Sequence, residues 1–191
     1  PKEDIPYNGI RLEHVSFGYQ DRRAALRDVS LDIPKGKVTA LVGLSGSGKS
    51  TIAALLMRFY DLEQGRIQLE GKDVVCFTPD ELRRRIIMVP QTVSLYSGTI
   101  AENLRMAAPE ATDEELFEAL REVHLKEWVL SQPKKLETPV GDAGGKLSGG
   151  QRQKIGIARA LLCHAEYIIF DEATSNVDMD SEREIWNCIH E

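Results

Sequence analysis

An eight-residue run near the start of the chain has the residue types and spacing that can hold a phosphate group. Residues 43–50 read Gly-Leu-Ser-Gly-Ser-Gly-Lys-Ser, which fits the pattern G-x-x-x-x-G-K-[ST]. The glycines let backbone N–H groups curl around an anion, while Lys49 and the Ser50 hydroxyl can reach outer phosphates and Mg²⁺. A plain Gly/Ser turn before an amphipathic helix is the alternative, and it leaves the lysine and serine unexplained. The spacing therefore predicts a nucleotide phosphate site.

Two carboxylates follow a short apolar segment late in the chain. Residues 167–170 read Tyr-Ile-Ile-Phe and are followed by Asp171 and Glu172. Ligands bind at the carboxyl ends of strands in open α/β sheets, so Asp171 could support Mg²⁺ and Glu172 could polarise an attacking water. Taken alone, the segment favours a solvated strand end. Combined with the upstream glycine-rich loop, it favours catalysis.

A second glycine-rich helix start lies between these two segments. Residues 147–151 read Leu-Ser-Gly-Gly-Gln and offer bare backbone with a free serine hydroxyl, which is a second surface for phosphate. One nucleotide does not need two such surfaces from one chain. This motif is therefore predicted to serve a nucleotide held by another subunit, and a simple N-cap turn is credible only without the other motifs.

The elements that must position these residues can be read from hydrophobic patterning. Residues 10–13 and 26–33 alternate as strands, and residues 38–42 form an apolar run typical of a strand buried on both faces. Residues 49–59 are predicted to be a helix. Residues 167–170 predict a further short strand, and residues 180–189 a closing helix.

The middle of the chain is helical in pattern. Capping-box sequences begin at Thr78, Thr99, Thr112 and Ser148, and each predicts a helix start. Because residues 99–130 carry no strand signal, they are expected to form a helical sub-domain inserted into a sheet domain. The predicted fold is therefore α/β, with a mostly parallel sheet and an N-terminal antiparallel β part.

Composition excludes several classes of function. The 191 residues carry 24 Lys plus Arg against 30 Asp plus Glu, a net charge of −6, which disfavours bulk nucleic-acid binding. No stretch approaches the roughly 20 apolar residues that span a bilayer, and the N-terminus does not read as a signal peptide. Cysteines and histidines are scattered, so no metal site is predicted from them.

Together, these motifs resemble the nucleotide-binding domain of ATP-binding cassette (ABC) transporters, in the same order and at matching spacing. The resemblance runs from about residue 10 onward, and a Leu-Ser-Gly-Gly-Gln motif between the other two motifs is highly specific. It matches Tyr19 to the aromatic that stacks on adenine and Gln91 to the glutamine that contacts Mg²⁺ and senses the transmembrane partner. It implies an ATP site made by Tyr19, Gly43, Leu44, Ser45, Gly46, Ser47, Gly48, Lys49, Ser50, Thr51, Gln91, Ser148, Gly149, Gly150 and Gln151.

The resemblance also implies a mechanism, that of an ATPase with a P-loop NTPase core. Glu172 would activate water with Lys49 and Gln91 as the other catalytic groups, and Ser50, Gln91 and Asp171 would support Mg²⁺. Two copies, or this chain and a related one, would sandwich two ATP molecules head to tail. Residues 1–90 and 152–191 would form the core, and residues 91–151 the helical sub-domain with the signature motif.

Details of the resemblance point to the exporter branch. The segment 90–104 looks exporter-like, as does the loop at residues 138–144, although Pro139 and Ala143 replace the family's acid and arginine. Ser175 and Asp178 keep the outer positions of the D-loop. His190 lies too close to Glu172 to match the family's switch histidine, so the chain is expected to be a C-terminally truncated cassette that binds ATP better than it hydrolyses it.

The implied setting is the cytoplasmic face of the cell membrane. A transmembrane domain of the same polypeptide would precede residue 1 and choose the cargo, this part itself being soluble. The alternative is a soluble ABC ATPase acting on nucleic acid or the ribosome. Gln91 and Leu147 lie 56 positions apart, which leaves too little room for the long coiled coils of such proteins, and the acidic balance also disfavours this alternative. A P-loop kinase or GTPase lacks support because no N-K-x-D motif occurs.

Overall fold

The computed structural model describes residues 7–19 and 25–171. It divides into two compact units, Pro1–Ile86 and Ile87–Glu191, and each is described by itself. In the described ranges, no helix has both the length and the apolar character required to cross a bilayer. Glu172, Ser175, Asp178, His190 and the closing helix predicted at residues 180–189 lie outside these ranges.

The first unit is built on an antiparallel sheet. Its strands are β1 (Gly9–Phe17), β2 (Leu26–Pro34), β3 (Gln64–Leu69) and β4 (Lys72–Asp73), in the order β2-β1-β3-β4. Leu12 of the inner strand β1 lies opposite Leu31 of β2 and Ile67 of β3. This sheet confirms the predicted N-terminal antiparallel part and extends the two predicted strands.

An irregularity in β1 changes which positions face the core. The register with both neighbours shifts after residues 12–13, at His14, whose φ is 49°. Buried side chains consequently fall at residues 10 and 12 before the shift and at residues 15 and 17 after it. A bulge of this kind moves the alternation by one residue.

Two helices complete the first unit. Helix α1 (Lys49–Leu56) stops three residues before the predicted end, and Arg58 just beyond it takes a left-handed φ of 53°. Helix α2 (Pro79–Arg85) begins with the capping box predicted at Thr78, and a 3-10 turn (Val74–Cys76) precedes it.

The prediction of a buried strand at residues 38–42 is wrong. The segment has no regular secondary structure, and Val38 and Val42 are 61% and 93% exposed. A central strand needs hydrogen-bonded neighbours on both edges. None of the described strands pairs with this segment, because β1 to β4 pair among themselves and β5 (Ile86–Val89) pairs with β6 (Tyr167–Phe170).

The second unit is mainly helical beside the two-stranded sheet of β5 and β6. Its helices are α3 (Ile100–Arg105), α4 (Asp113–Glu122), α5 (Lys126–Ser131) and α6 (Gly149–Leu162), with 3-10 turns at Lys135–Glu137 and Asp142–Gly144. Helices α3, α4 and α6 begin with the capping boxes predicted at Thr99, Thr112 and Ser148. The apolar core is formed by fully buried side chains such as Leu104, Leu116, Leu120 and Ile155.

Candidate functional site

The start of α1 has a glycine N-cap and no side-chain cap. Its N-cap is Gly48, at φ 95° and ψ 7°, which provides no side chain to cap the helix, and the first turn holds no acidic residue. The first intrahelical bond runs from the N–H of Ile52 to the carbonyl of Gly48, at 3.0 Å. The first-turn N–H groups of a helix have no acceptor within the helix and lie at the positive end of its dipole, so this end suits an anion.

The loop before α1 folds back tightly on itself. The N–H of Ser47 donates to the carbonyl of Leu44 at 3.1 Å, and Gly46 takes a left-handed φ of 79°. A Cβ on Gly43 would lie 2.7 Å from Ser47 Oγ, so a side chain there would require the Ser47 hydroxyl to move. The loop residues 43–47 are exposed, which leaves their backbone open to a ligand.

Lys49 stretches across this loop. Its Nζ donates to the carbonyl oxygens of Gly43 and Leu44, each at 3.0 Å. The ammonium group is therefore held beside the loop that leads into α1. The positive charge, the backbone donors and the nearby Ser50 and Thr51 hydroxyls form a set that fits the oxygens of a polyphosphate.

Tyr19 lies beside α1. Its ring packs edge-on against Phe17 and Tyr60, with ring centroids 5.1 and 5.2 Å apart, and its Oη lies 3.3 Å from Thr51 Oγ1. The side chain is partly exposed, and Tyr60 is exposed. The sequence-predicted aromatic and the glycine-rich loop therefore belong to one part of the first unit.

In the second unit, the structure brings Gln91 and Asp171 to the same end of the two-stranded sheet. The N–H of Asp171 donates to the carbonyl of Val89, the last residue of β5, at 3.1 Å. Gln91 follows β5 by two residues, and Asp171 directly follows β6. Side-chain oxygens are the ligands that Mg²⁺ prefers, so both residues have the chemistry that the predicted metal role requires.

The motif at residues 147–151 starts helix α6. Ser148 Oγ accepts from the N–H of Gln151 at 3.1 Å, while Gln151 Oε1 accepts from the N–H of Ser148 at 2.9 Å. Leu147 and Gly150 are buried, whereas Ser148 is exposed and Gly149 partly exposed. The serine hydroxyl keeps its own hydrogen for donation to a further acceptor.

The structure reveals residues that sequence reasoning missed. Arg152 donates to the carbonyl of Leu147 at 2.6 Å and so braces the motif from its own helix. Arg159 and the buried Asn103 form a polar network, and burial lowers the pKa of the Arg159 guanidinium. The signal for Asn103 was present: this polar residue shares the apolar face of α3 with Ile100 and Leu104.

Comparison with known proteins matches most of the chain to one family. The sequence model of a family described as ABC transporter matches residues 26–175. An ATP-dependent lipid A-core flippase of Vibrio cholerae is 47% identical over 184 residues, covering 95% of this chain and 32% of that protein. A mitochondrial iron-sulfur clusters transporter ATM1 of Kluyveromyces lactis is 45% identical, covering 95% of this chain and 25% of that protein.

A solved structure agrees in fold. A bacterial Atm1-family ABC exporter with ATP bound superposes with a TM-score of 0.89 at 36% identity, covering 96% of this chain and 32% of that one. The chain spans about a third or less of the proteins that it matches. These matches confirm the resemblance and the fold class. They give no support to the alternative of a soluble ATPase acting on nucleic acid or the ribosome.

Proposed function

This chain belongs to the ABC transporter family, and we propose on that premise that it binds and hydrolyses MgATP as the nucleotide-binding domain of an exporter. The observation that carries the proposal lies at the start of α1, where the Lys49 ammonium bonds two loop carbonyls beside a glycine N-cap that adds no side-chain cap. A phosphate chain would replace those carbonyls as the acceptor of the ammonium protons. Tyr19 would offer its ring to adenine.

The remaining site residues supply the metal and the base. Ser50, Gln91 and Asp171 would hold Mg²⁺ through side-chain oxygens. When bound, the ion would neutralise charge that develops on the transferred phosphoryl group. Glu172 would orient the attacking water and accept its proton. Catalysis in this chemistry comes mainly from positioning and electrostatics.

The motif of Ser148, Gly149, Gly150 and Gln151, whose serine is exposed, would act on a nucleotide held by a second domain. Its serine hydroxyl and glycine N–H groups would donate to the outer phosphate of that nucleotide, in a head-to-tail dimer. Residues 91–151 would form the helical sub-domain that carries this motif, and residues 1–90 with 152–191 the core.

Export is the activity that the names of the relatives support. They include an ATP-dependent flippase and an ABC exporter, each at least about three times as long as this chain. A transmembrane domain in the same polypeptide would be driven by closure of the dimer on ATP and its reopening after hydrolysis. The nucleotide-binding domain would then lie on the cytoplasmic face of the membrane.

The test is calorimetric titration of the protein with MgATP. Lys49→Ala removes a charged donor from the phosphate site, and we expect a loss of affinity of roughly a hundredfold. Tyr19→Ala removes one stacking partner and is expected to cost roughly tenfold. Lys37→Ala, an exposed lysine in the turn after β2, is the matched control and should bind like wild type. Unchanged affinity in the Lys49 variant would refute the site.

A further inference from the structure

Helix α6 holds the segment around Gln91 along one side. Gln153, Gly156 and Arg159 recur every three residues, which places them on one face of the helix. The first two of these residues contact positions on either side of Gln91. Gln153 Nε2 donates to the carbonyl of Pro90 at 3.2 Å, and Gly156 packs against Val93.

Gly156 is required by this packing. A Cβ at that position would lie 2.4 Å from Val93 Cγ2, closer than two carbon atoms can approach. Glycine inside a helix costs about 0.5–1 kcal/mol relative to alanine. The direct contact between the helix backbone and the Gln91 segment is therefore maintained at a cost to α6.

Arg159 makes the third attachment, through three hydrogen bonds. Its Nη1 donates to the carbonyl of Ser94 at 2.9 Å, its Nε to the carbonyl of Asn103 at 2.7 Å, and its Nη2 to Asn103 Oδ1 at 2.6 Å. One guanidinium thus joins α6 to the segment after Gln91 and to helix α3. A lysine ammonium has no planar fork with which to bridge these three oxygens.

Asn103 extends the attachment to the rest of the segment. It is 1% exposed, and its Nδ2 donates to the carbonyls of Tyr96 and Thr99, each at 2.9 Å. Its Oδ1 accepts from the N–H of Tyr96 at 2.9 Å as well as from Arg159. All four hydrogen-bonding positions of the amide are filled.

We propose that Arg159, acting through Asn103 and the carbonyl of Ser94, is a positioning residue that fixes Gln91 to the helix that begins at Ser148. This arrangement connects Gln91, the proposed Mg²⁺ ligand, with the motif at residues 147–151, so Gln91 and the motif move as one body. The inference rests on the proposed function, because it gives Arg159 a role only if Gln91 acts on MgATP.

The experiment is a double-mutant cycle in the full-length protein, measuring MgATP turnover and its dependence on Mg²⁺ concentration. We expect Arg159→Lys to lower turnover about tenfold and to raise the Mg²⁺ concentration for half-maximal turnover by roughly tenfold. In a Gln91→Ala background, the same substitution should change neither quantity further, because both act through one side chain. A loss of folded protein lowers turnover equally in both backgrounds and leaves the Mg²⁺ dependence unchanged.

Arg121→Lys is the matched control. This exposed arginine of α4 pairs with Glu118 and Glu122, and the same chemical change there should leave both quantities at their wild-type values. If Arg159→Lys does not fold, Gln153→Leu removes the bond to the Pro90 carbonyl while keeping the side-chain size. It should show the same lack of additivity with a smaller effect.

The outcomes separate the two proposals. Wild type that neither binds nor hydrolyses ATP refutes the proposed function. The other result is an active wild type and a lower turnover in Gln91→Ala. If Arg159→Lys then causes an equal further loss in both backgrounds, only the positioning role is refuted.

Discussion

Helices α1 and α6 both begin at glycine-rich motifs, yet their ends are completed differently. The N-cap of α1 is Gly48, which has no side chain to cap the first turn. The N-cap of α6 is Ser148, and a reciprocal pair of bonds with Gln151 closes its first turn. On the proposed function, a bound phosphate would complete the start of α1, whereas the first turn of α6 is completed by its own side chains.

A shared property distinguishes these two starts from the other helices. Among the six helices in the described ranges, only α1 and α6 have no acidic residue in the first turn. A carboxylate there would repel a phosphate. Under the proposed function, α1 would bind the phosphates of its own nucleotide, while the capped and uncharged start of α6 would receive a phosphate held by another subunit.

The largest effect that would sharpen this comparison is expected from Gly48→Ala. An alanine Cβ would lie 2.8 Å from the carbonyl oxygen of Ala25 and 2.6 Å from Leu26 Cδ2, on a residue whose φ is 95°. Strain and crowding together should lower the free energy of unfolding by about 2–4 kcal/mol and ATP affinity by at least about tenfold. Chemical denaturation and calorimetry would measure the two losses.

Gly46→Ala is the control for backbone strain alone. Its φ is 79°, but a Cβ there meets nothing within 4 Å, so only the left-handed conformation is penalised. The expected loss of unfolding free energy is about 1–2 kcal/mol. Equal losses in the two variants would contradict the close packing of the α1 start against β2.

A smaller effect should separate the two roles of Ser148. Ser148→Ala removes the cap of α6 and should cost about 1 kcal/mol of unfolding free energy, with MgATP turnover of the full-length protein lowered about tenfold as well. Thr112→Ala removes the matching cap of α4 and should cost similar stability without loss of turnover. A parallel loss of turnover in both variants would reduce Ser148 to a helix cap.

The smallest expected effect is on the free energy of unfolding at low pH. The backbone N–H of Thr112 donates to Glu115 and holds the pKa of that carboxyl below its ordinary value of 4.5. Because the folded-state pKa is the lower one, the contribution of Glu115 is complete above pH 4.5 and is lost as the pH falls through the folded-state value. The α6 cap uses the neutral Gln151 and should not respond.

Denaturant midpoints compared between pH 7 and pH 3.5 would measure this difference. Glu115→Gln removes the titrating carboxyl and should lose less stability on acidification than wild type, whereas Ser148→Ala should lose as much as wild type. Identical acid responses in both variants would show that the α4 cap does not depend on the charge of Glu115.

Features determined by local sequence were predicted well, and those determined by distant neighbours were not. The four capping boxes and the strand Tyr167–Phe170 follow from residues within a few positions, and the structure confirms them. Residues 38–42 have the composition of a buried strand, but a strand exists only where others pair with it. The bulge at His14 likewise depends on both neighbours of β1.

The candidate site divides in the same way. Its glycine-rich loop and the Ser148 motif are contiguous and could be read directly. Asn103 and Arg159 lie 56 residues apart, and their contact is visible only in the structure. A polar residue on an apolar helix face predicts that some partner exists, without identifying which.

The saturated amide of Asn103 has a consequence for cooperativity. Its four bonds join Tyr96, Thr99 and Arg159, and all of them share one buried group. When the segment opens at any one of these points, part of the buried amide is left without a hydrogen-bond partner. This costs free energy and favours opening at the other points as well. The segment that follows Gln91 should therefore open as a single unit, with its amide hydrogens exchanging together.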